Sequence, residues 1–123
     1  MCGIIGVLSS NTIEIIKKGL IELQNRGYDS VGISVMSDHF KTIKYSSNDN
    51  DCFENLLNNI HTIDIGSKIG IGHTRWATHG KKCVNNSHPH LSFHKNIILV
   101  HNGIIENHKK IKKFLLENNY IFY

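Results

Sequence analysis

The sequence predicts a single small domain of the α+β class. Two kinds of pattern carry that reading. Short apolar or alternating runs of strand length recur at 3–8, 31–37, 39–45, 69–74 and 96–101, the pattern of strands that bury at least one face of a sheet. Apolar residues at helical spacing mark amphipathic segments at 13–25 and about 106–118. With 123 residues, the chain has room for one hydrophobic core and little surplus.

In chain order, residues 3–8 are apolar nearly throughout and too short for a helix, so they read as a buried strand. Ile13, Ile16, Leu20 and Leu23 follow at helical spacing, with Asn11 and Thr12 as candidate caps and Gly27 placed to end the helix. Residues 31–37 and 39–45 alternate, are rich in Val, Ile and Phe, and turn at Ser37-Asp38. A polar run at 46–51 leads into a short helix that Asp51 and Glu54 are placed to cap. A strand at 69–74 runs into a long polar segment at 77–94, followed by a strong strand at 96–101. The lysine-rich helix presents Ile111, Phe114 and Leu115 on one side, and Tyr120–Tyr123 reads as the start of another strand. No repeat, linker or low-complexity tract interrupts this order.

Composition narrows the function classes. The net charge is +4 with nine histidines, mildly basic. The dense patch Lys109-Lys110 and Lys112-Lys113 lies on the last helix without interleaved aromatics or a recognisable module, so it reads as a solvated face and no nucleic-acid partner is expected. No run approaches the roughly 18 apolar residues of a membrane span, and the N-terminus lacks a signal-peptide pattern, which predicts a soluble, cytoplasmic protein without a membrane partner. Cys2, Cys52 and Cys83 are odd in number and unpaired in spacing, arguing against a disulfide framework and for a reducing compartment. His88, His90, His94, His101 and Cys83 fit no standard zinc spacing. Neither metal nor cofactor is expected.

Two features point to chemistry. The chain opens Met1-Cys2-Gly3. A small second residue invites removal of Met1, which would leave one residue carrying both a thiol nucleophile and a free α-amine. Such an amine ordinarily titrates near about 7.7–8.0 and can act as a base at neutral pH. Arginine, moreover, occurs only at positions 26 and 75 in a chain that otherwise uses lysine for positive charge. A guanidinium grips a carboxylate through two parallel hydrogen bonds, which lysine cannot do.

Three sequence blocks surround these residues: Arg26-Gly27-Tyr28-Asp29-Ser30-Val31-Gly32, His73-Thr74-Arg75-Trp76-Ala77-Thr78-His79-Gly80 and His101-Asn102-Gly103-Ile104-Ile105-Glu106-Asn107-His108. In this order behind Cys2-Gly3-Ile4, they resemble the glutaminase domain of the glutamine–fructose-6-phosphate aminotransferase family. These are class-II glutamine amidotransferases of the N-terminal-nucleophile hydrolase group. The likeness runs from Cys2 to about Tyr120.

The resemblance implies a fold, an αββα sandwich, and a set of roles. Cys2 would attack the side-chain amide carbon of glutamine, releasing ammonia and leaving a γ-glutamyl thioester for water to hydrolyse, with the α-amine moving protons. Asn102, through its side-chain amide, and Gly103, through its backbone N–H, would hold the oxyanion. Arg75 would bind the α-carboxylate of glutamine, with Thr78 and the His79 backbone beside it. Trp76 matches a hinge aromatic, a core position being the alternative, and Arg26 matches a residue of a loop that closes the site. Thr78 reads equally as a hydrogen bonder at the strand end. Asp29 and Ser30 read as turn formers, and His101 as the residue that orients the loop of Asn102.

The sequence ends at Tyr123, where the family continues into an acidic residue for the α-amine of glutamine, the rest of the sandwich and the sugar-phosphate isomerase domains. Residues 1–123 are therefore expected to be a truncated glutaminase domain, at most capable of the glutaminase half-reaction. Another chain supplying the missing parts, or a second copy pairing through an open sheet edge, is an expected partner. An inactive remnant or an interaction module is the alternative.

Overall fold

The structure, a computed structural model, describes residues 1–47, 51–64 and 66–122. Its elements are β1 (Gly3–Leu8), α1 (Thr12–Glu22), β2 (Ser30–Met36), β3 (Phe40–Ser46), α2 (Cys52–Asn59), β4 (Ile69–Arg75), β5 (His90–Leu91), β6 (Ile98–Leu99) and α3 (His108–Glu117). Strands β1 to β4 form an antiparallel sheet in the order β1-β4-β2-β3, and β5 and β6 form a separate two-stranded ribbon.

Both α1 and α2 cover one face of the main sheet. The period of two along β2 sends Val31, Ile33 and Val35 into the core, where they meet Ile13, Ile16 and Leu20 of α1 and Cys52, Phe53 and Leu56 of α2. The helix α1 lies close to β4 because that strand presents glycine beneath it. A Cβ on Gly72 would sit 2.9 Å from Ile16, 3.0 Å from Ile5 and 3.1 Å from Leu20. The α2 N-terminus is capped as its sequence suggests, the Asp51 carboxylate accepting from the backbone N–H of Phe53 at 2.9 Å and of Glu54 at 3.1 Å.

The second face carries His73 and Arg75 of β4. The segment 87–90 covers part of it, its His88 ring stacked on His73 at 4.4 Å between centroids. Along β1 and the start of β4 this face is open. Ile4, Leu8 and Ile69 are exposed, and α3 buries none of its side chains.

Several boundaries differ from the sequence reading. The first helix stops at Glu22 and tightens into a 3-10 turn at Gln24–Arg26, so Gly27 is not its cap, and Asn11 makes no side-chain cap bond. The run 96–101 forms only the two-residue β6, because β5, with which it pairs, is two residues long. Tyr120–Phe122 are not a strand. Tyr123 and residues 48–50 of the polar run lie outside the described residues.

Candidate active site

Cys2 is held at the mouth of the sheet by the first rung of β1. The Gly3 N–H donates to Thr74 Oγ1 at 3.1 Å, and that hydroxyl donates to the Leu23 carbonyl at 3.2 Å. One threonine thus ties the start of β1 to the end of α1. The thiol itself sits against the backbone of Trp76, accepting from its N–H at 3.4 Å and facing its carbonyl at 3.6 Å. Cys2 is partly exposed, so its thiol is open to approach from solvent.

Asn102 reaches this point from the far end of the sequence. Its Nδ2 donates to the Cys2 carbonyl at 3.1 Å, and its Oδ1 faces His73 Nε2 at 2.7 Å. The side chain therefore clamps an otherwise exposed loop onto Cys2 and the central strand. Gly103 follows with the His101 ring beside it, at 2.8 Å from where a Cβ would stand. His101 packs on Gly103. The residue that hydrogen-bonds Asn102 is His73, not His101.

Arg75, the last residue of β4, is buried, and its guanidinium donates to the carbonyls of His79 at 2.5 Å and Lys81 at 3.1 Å. It folds the loop 76–82 back over the strand end. Thr78 and His79 lie exposed on that loop, hydrogen-bonded to each other at 3.1 Å. Trp76 is exposed too, and packs edge-on against Tyr28 with centroids 5.3 Å apart. It is not a core residue. Arg26 is exposed at the end of its 3-10 turn. The next residue, Gly27, touches the strand end so closely that a Cβ would lie 2.5 Å from the Arg75 carbonyl carbon and 2.8 Å from the Trp76 nitrogen.

Asp29 is the residue the sequence undersold. Its carboxylate is buried and accepts from the Ala77 N–H at 2.7 Å and from Lys82 Nζ at 2.6 Å. Burial alone would raise its pKa. The hydrogen bonds from Lys82 and Ala77 and the charges of Lys82 and Arg75 outweigh that, and hold it below the ordinary carboxylate value. His73 was the other omission. It is a buried histidine in β4, a strand in which isoleucine and glycine alternate up to Gly72.

What the arrangement can do is acyl chemistry. A partly exposed thiol, a side-chain amide donor beside it and a buried guanidinium at a loop end are grouped at one end of the sheet. Among the described residues, no group of three or more His, Cys, Asp or Glu is arranged to hold a metal ion.

No protein-family model matches the chain. Over 99% of its length it is 46% identical to the glutamine–fructose-6-phosphate aminotransferase (isomerizing) of Fusobacterium nucleatum and 42% identical to that of Chlorobaculum tepidum. Among solved structures, the whole chain superposes on the glutamine phosphoribosylpyrophosphate amidotransferase of B. subtilis complexed with ADP and GMP, with a TM-score of 0.77 and 26% identity, covering 26% of that chain. A structure described as the allosteric regulatory enzyme of purine biosynthesis gives a TM-score of 0.79, also at 26% identity. Fold and likeness together define a glutamine amidotransferase domain of the N-terminal-nucleophile type. Within that class, the chain resembles, along nearly its whole length, the N-terminal glutaminase domains of the glutamine–fructose-6-phosphate aminotransferases. It spans about a fifth of the length of those relatives. Among the described residues no helix is long and apolar enough to cross a membrane.

Proposed function

We propose that residues 1–123 carry the nucleophile and most of the glutamine site of a class-II glutaminase. The observation that carries this reading is the meeting of Cys2 and Asn102, a hundred residues apart in sequence, through the Asn102 amide at 3.1 Å from the Cys2 carbonyl. With Met1 removed, the Cys2 thiolate attacks the side-chain amide carbon of glutamine. A C–S bond forms, the C–N bond breaks, and the nitrogen leaves as ammonia after taking a proton relayed by the α-amine. Water then cleaves the thioester to glutamate. Asn102 Nδ2 and the Gly103 N–H stabilise the oxyanion in both steps, and loss of one such donor costs about 100- to 1000-fold in kcat. Arg75 binds the α-carboxylate, Thr78 and His79 line that side, and the Arg26 turn and Trp76 close over the substrate.

The relatives are longer chains, so the acceptor of the ammonia belongs to a further domain or a partner chain, and fructose 6-phosphate is the acceptor their name points to. A cytoplasmic location fits this metabolic role.

The test is the intact mass before and after exposure to an electrophilic glutamine analogue, with Cys2→Ala as control. A mass lacking Met1 that gains one Cys2-dependent adduct, together with release of glutamate and ammonia from glutamine, supports the reading. Adducts shared with Cys83, or unchanged in Cys2→Ala, would sink it.

A second reading, an interaction module, is favoured by the open second face, where Leu8 is 81% and Ile69 44% exposed. It predicts concentration-dependent self-association or a stable complex with another aminotransferase chain, unaffected by Cys2→Ala. A monodisperse monomer at all concentrations, with no such complex, would exclude it.

A further inference from the structure

We propose that His73 is a positioning residue that fixes which way the Asn102 side-chain amide points, by holding an Nε2–H tautomer against Asn102 Oδ1. The proposal rests on the reading of Asn102 as an oxyanion donor and names what keeps that donor a donor.

The two ends of an asparagine amide have nearly the same shape, so packing alone does not choose between them. Hydrogen-bond partners choose. On one side, Asn102 meets the Cys2 carbonyl oxygen at 3.1 Å, and a carbonyl can only accept. The Asn102 atom facing it must therefore be Nδ2. That leaves Oδ1 facing His73 Nε2 at 2.7 Å, a separation that two lone pairs would not tolerate. His73 Nε2 must carry the proton. Two geometric facts thus fix the tautomer and the amide together. One Nδ2 hydrogen is spent on Cys2, and the second remains for the oxyanion.

The surroundings of His73 keep that choice in place. The ring is 1% exposed, in register with Gly32 of β2 and Ile4 of β1. Because Gly32 has no side chain, the His88 main chain settles beside it. The His88 ring then stacks on His73 at 4.4 Å, and His90 packs on His88 at 4.3 Å. The Lys44 ammonium holds this covering segment by donating to the Ser87 carbonyl at 2.8 Å. Burial of His73, together with the nearby charges of Arg75 and His90, keeps its pKa below the ordinary histidine value, although the bond to Asn102 pulls the other way. A neutral imidazole has a single N–H to place, so its tautomer is informative. Were it placed on Nδ1, the lone pair on Nε2 would turn the amide round and present Oδ1 to the negative charge that forms on the substrate.

The experiment has two readouts. The first is the 15N spectrum of the histidine rings in the purified protein, with the His73 signals identified by their absence from His73→Gln. It needs no turnover. A single Nε2–H tautomer between about pH 6 and 8, with slowed exchange of the Asn102 amide protons, is the expected result. An Nδ1–H form or a mixture of tautomers overturns the proposal. The second is glutamine hydrolysis. His73→Leu should lower kcat by about 10- to 100-fold, short of the loss from deleting the donor, with KM nearly constant. His73→Gln, which places an amide N–H near the position of Nε2, should recover most of that loss. Equal losses in Leu and Gln, or a loss confined to KM, overturn the proposal. If wild-type protein does not hydrolyse glutamine, the proposed glutaminase activity fails instead, and the tautomer still decides whether His73 sets the amide.

Discussion

Asp29 and Lys82 stand 2.6 Å apart, and their pairing joins the start of β2 to the far end of the loop that leaves β4. The second carboxylate oxygen of Asp29 takes the Ala77 N–H, while its backbone N–H donates to the Arg75 carbonyl at 3.0 Å and its carbonyl accepts from Ser47 at 2.9 Å. One residue thus fixes both ends of the segment bearing Trp76, Thr78 and His79. Asp29→Ala should cost roughly 1.5–3 kcal/mol, the range for hydrogen bonds to a charged group, and should raise KM for glutamine more than it lowers kcat. Lys82→Met should do less to stability, because the lysine is half in water. Urea denaturation and glutamine kinetics on the two variants check this, and equal effects would show that the loop is held some other way.

The close approach of α1 to β4 makes a second prediction. Gly72→Ala should destabilise by about 1–3 kcal/mol, since its Cβ would meet three packed side chains at 2.9–3.1 Å. Gly6→Ala, on the neighbouring strand, has nothing within 4 Å of the added carbon and should be close to neutral. Thermal or urea unfolding of the pair separates packing from any general effect of losing a glycine, and a similar loss in both would rule out the packing explanation.

Local pattern made the sheet and the first two helices legible. Residues 3–8, 31–37, 39–45 and 69–74 all became strands, because each buries a face against α1 or α2 and the period of two then has a physical consequence. The run 96–101 is just as apolar, yet only Ile98–Leu99 form a strand and Ile97 and Leu99 stay exposed, since β5 pairs with no more than two of its residues. Cys2, the end of β4 at Arg75 and Asn102 lie at one end of the sheet, each from a different motif block. The supports of that end, Asp29 with Lys82 and His73 with Asn102, join residues 53 and 29 positions apart, and no local period encodes such pairings.

The histidines make stability depend on pH. Burial, followed by the charges of His73, His90, Arg75 and Lys44 that face it, pushes His88 down to about 3, and His73 and His90 are lowered too. The unfolded chain therefore takes up protons below about pH 6.5 that the folded chain refuses, so stability is full above that value and falls as the pH drops toward 3. Asp29, also lowered, adds a further loss once the pH passes below its ordinary carboxylate value of 3.8. Allowing for the partial exposure of His88, its share between about pH 6.5 and 5 is on the order of 1 kcal/mol. The urea midpoint should fall across that interval and should fall less in His88→Gln. A flat midpoint in wild type would mean that the segment 87–90 does not stay on the sheet.

The three thiols should be separable by reactivity. Cys52 lies in the core at the start of α2, its thiol donating to the Tyr28 carbonyl at 3.4 Å. Burial, with a smaller contribution from the Asp51 charge, pushes its pKa up to about 11, so near neutral pH it presents almost no thiolate. Cys2 and Cys83 are partly exposed and lack that shield. Brief treatment with iodoacetamide near about pH 8 should modify Cys2 and Cys83, leaving Cys52 intact until urea is added, as peptide masses will show. Cys52 modified as fast as Cys83 under native conditions would mean that α2 opens readily from β2 and β3. Because Tyr28 is the residue that packs on Trp76, such opening would loosen the site together with the core.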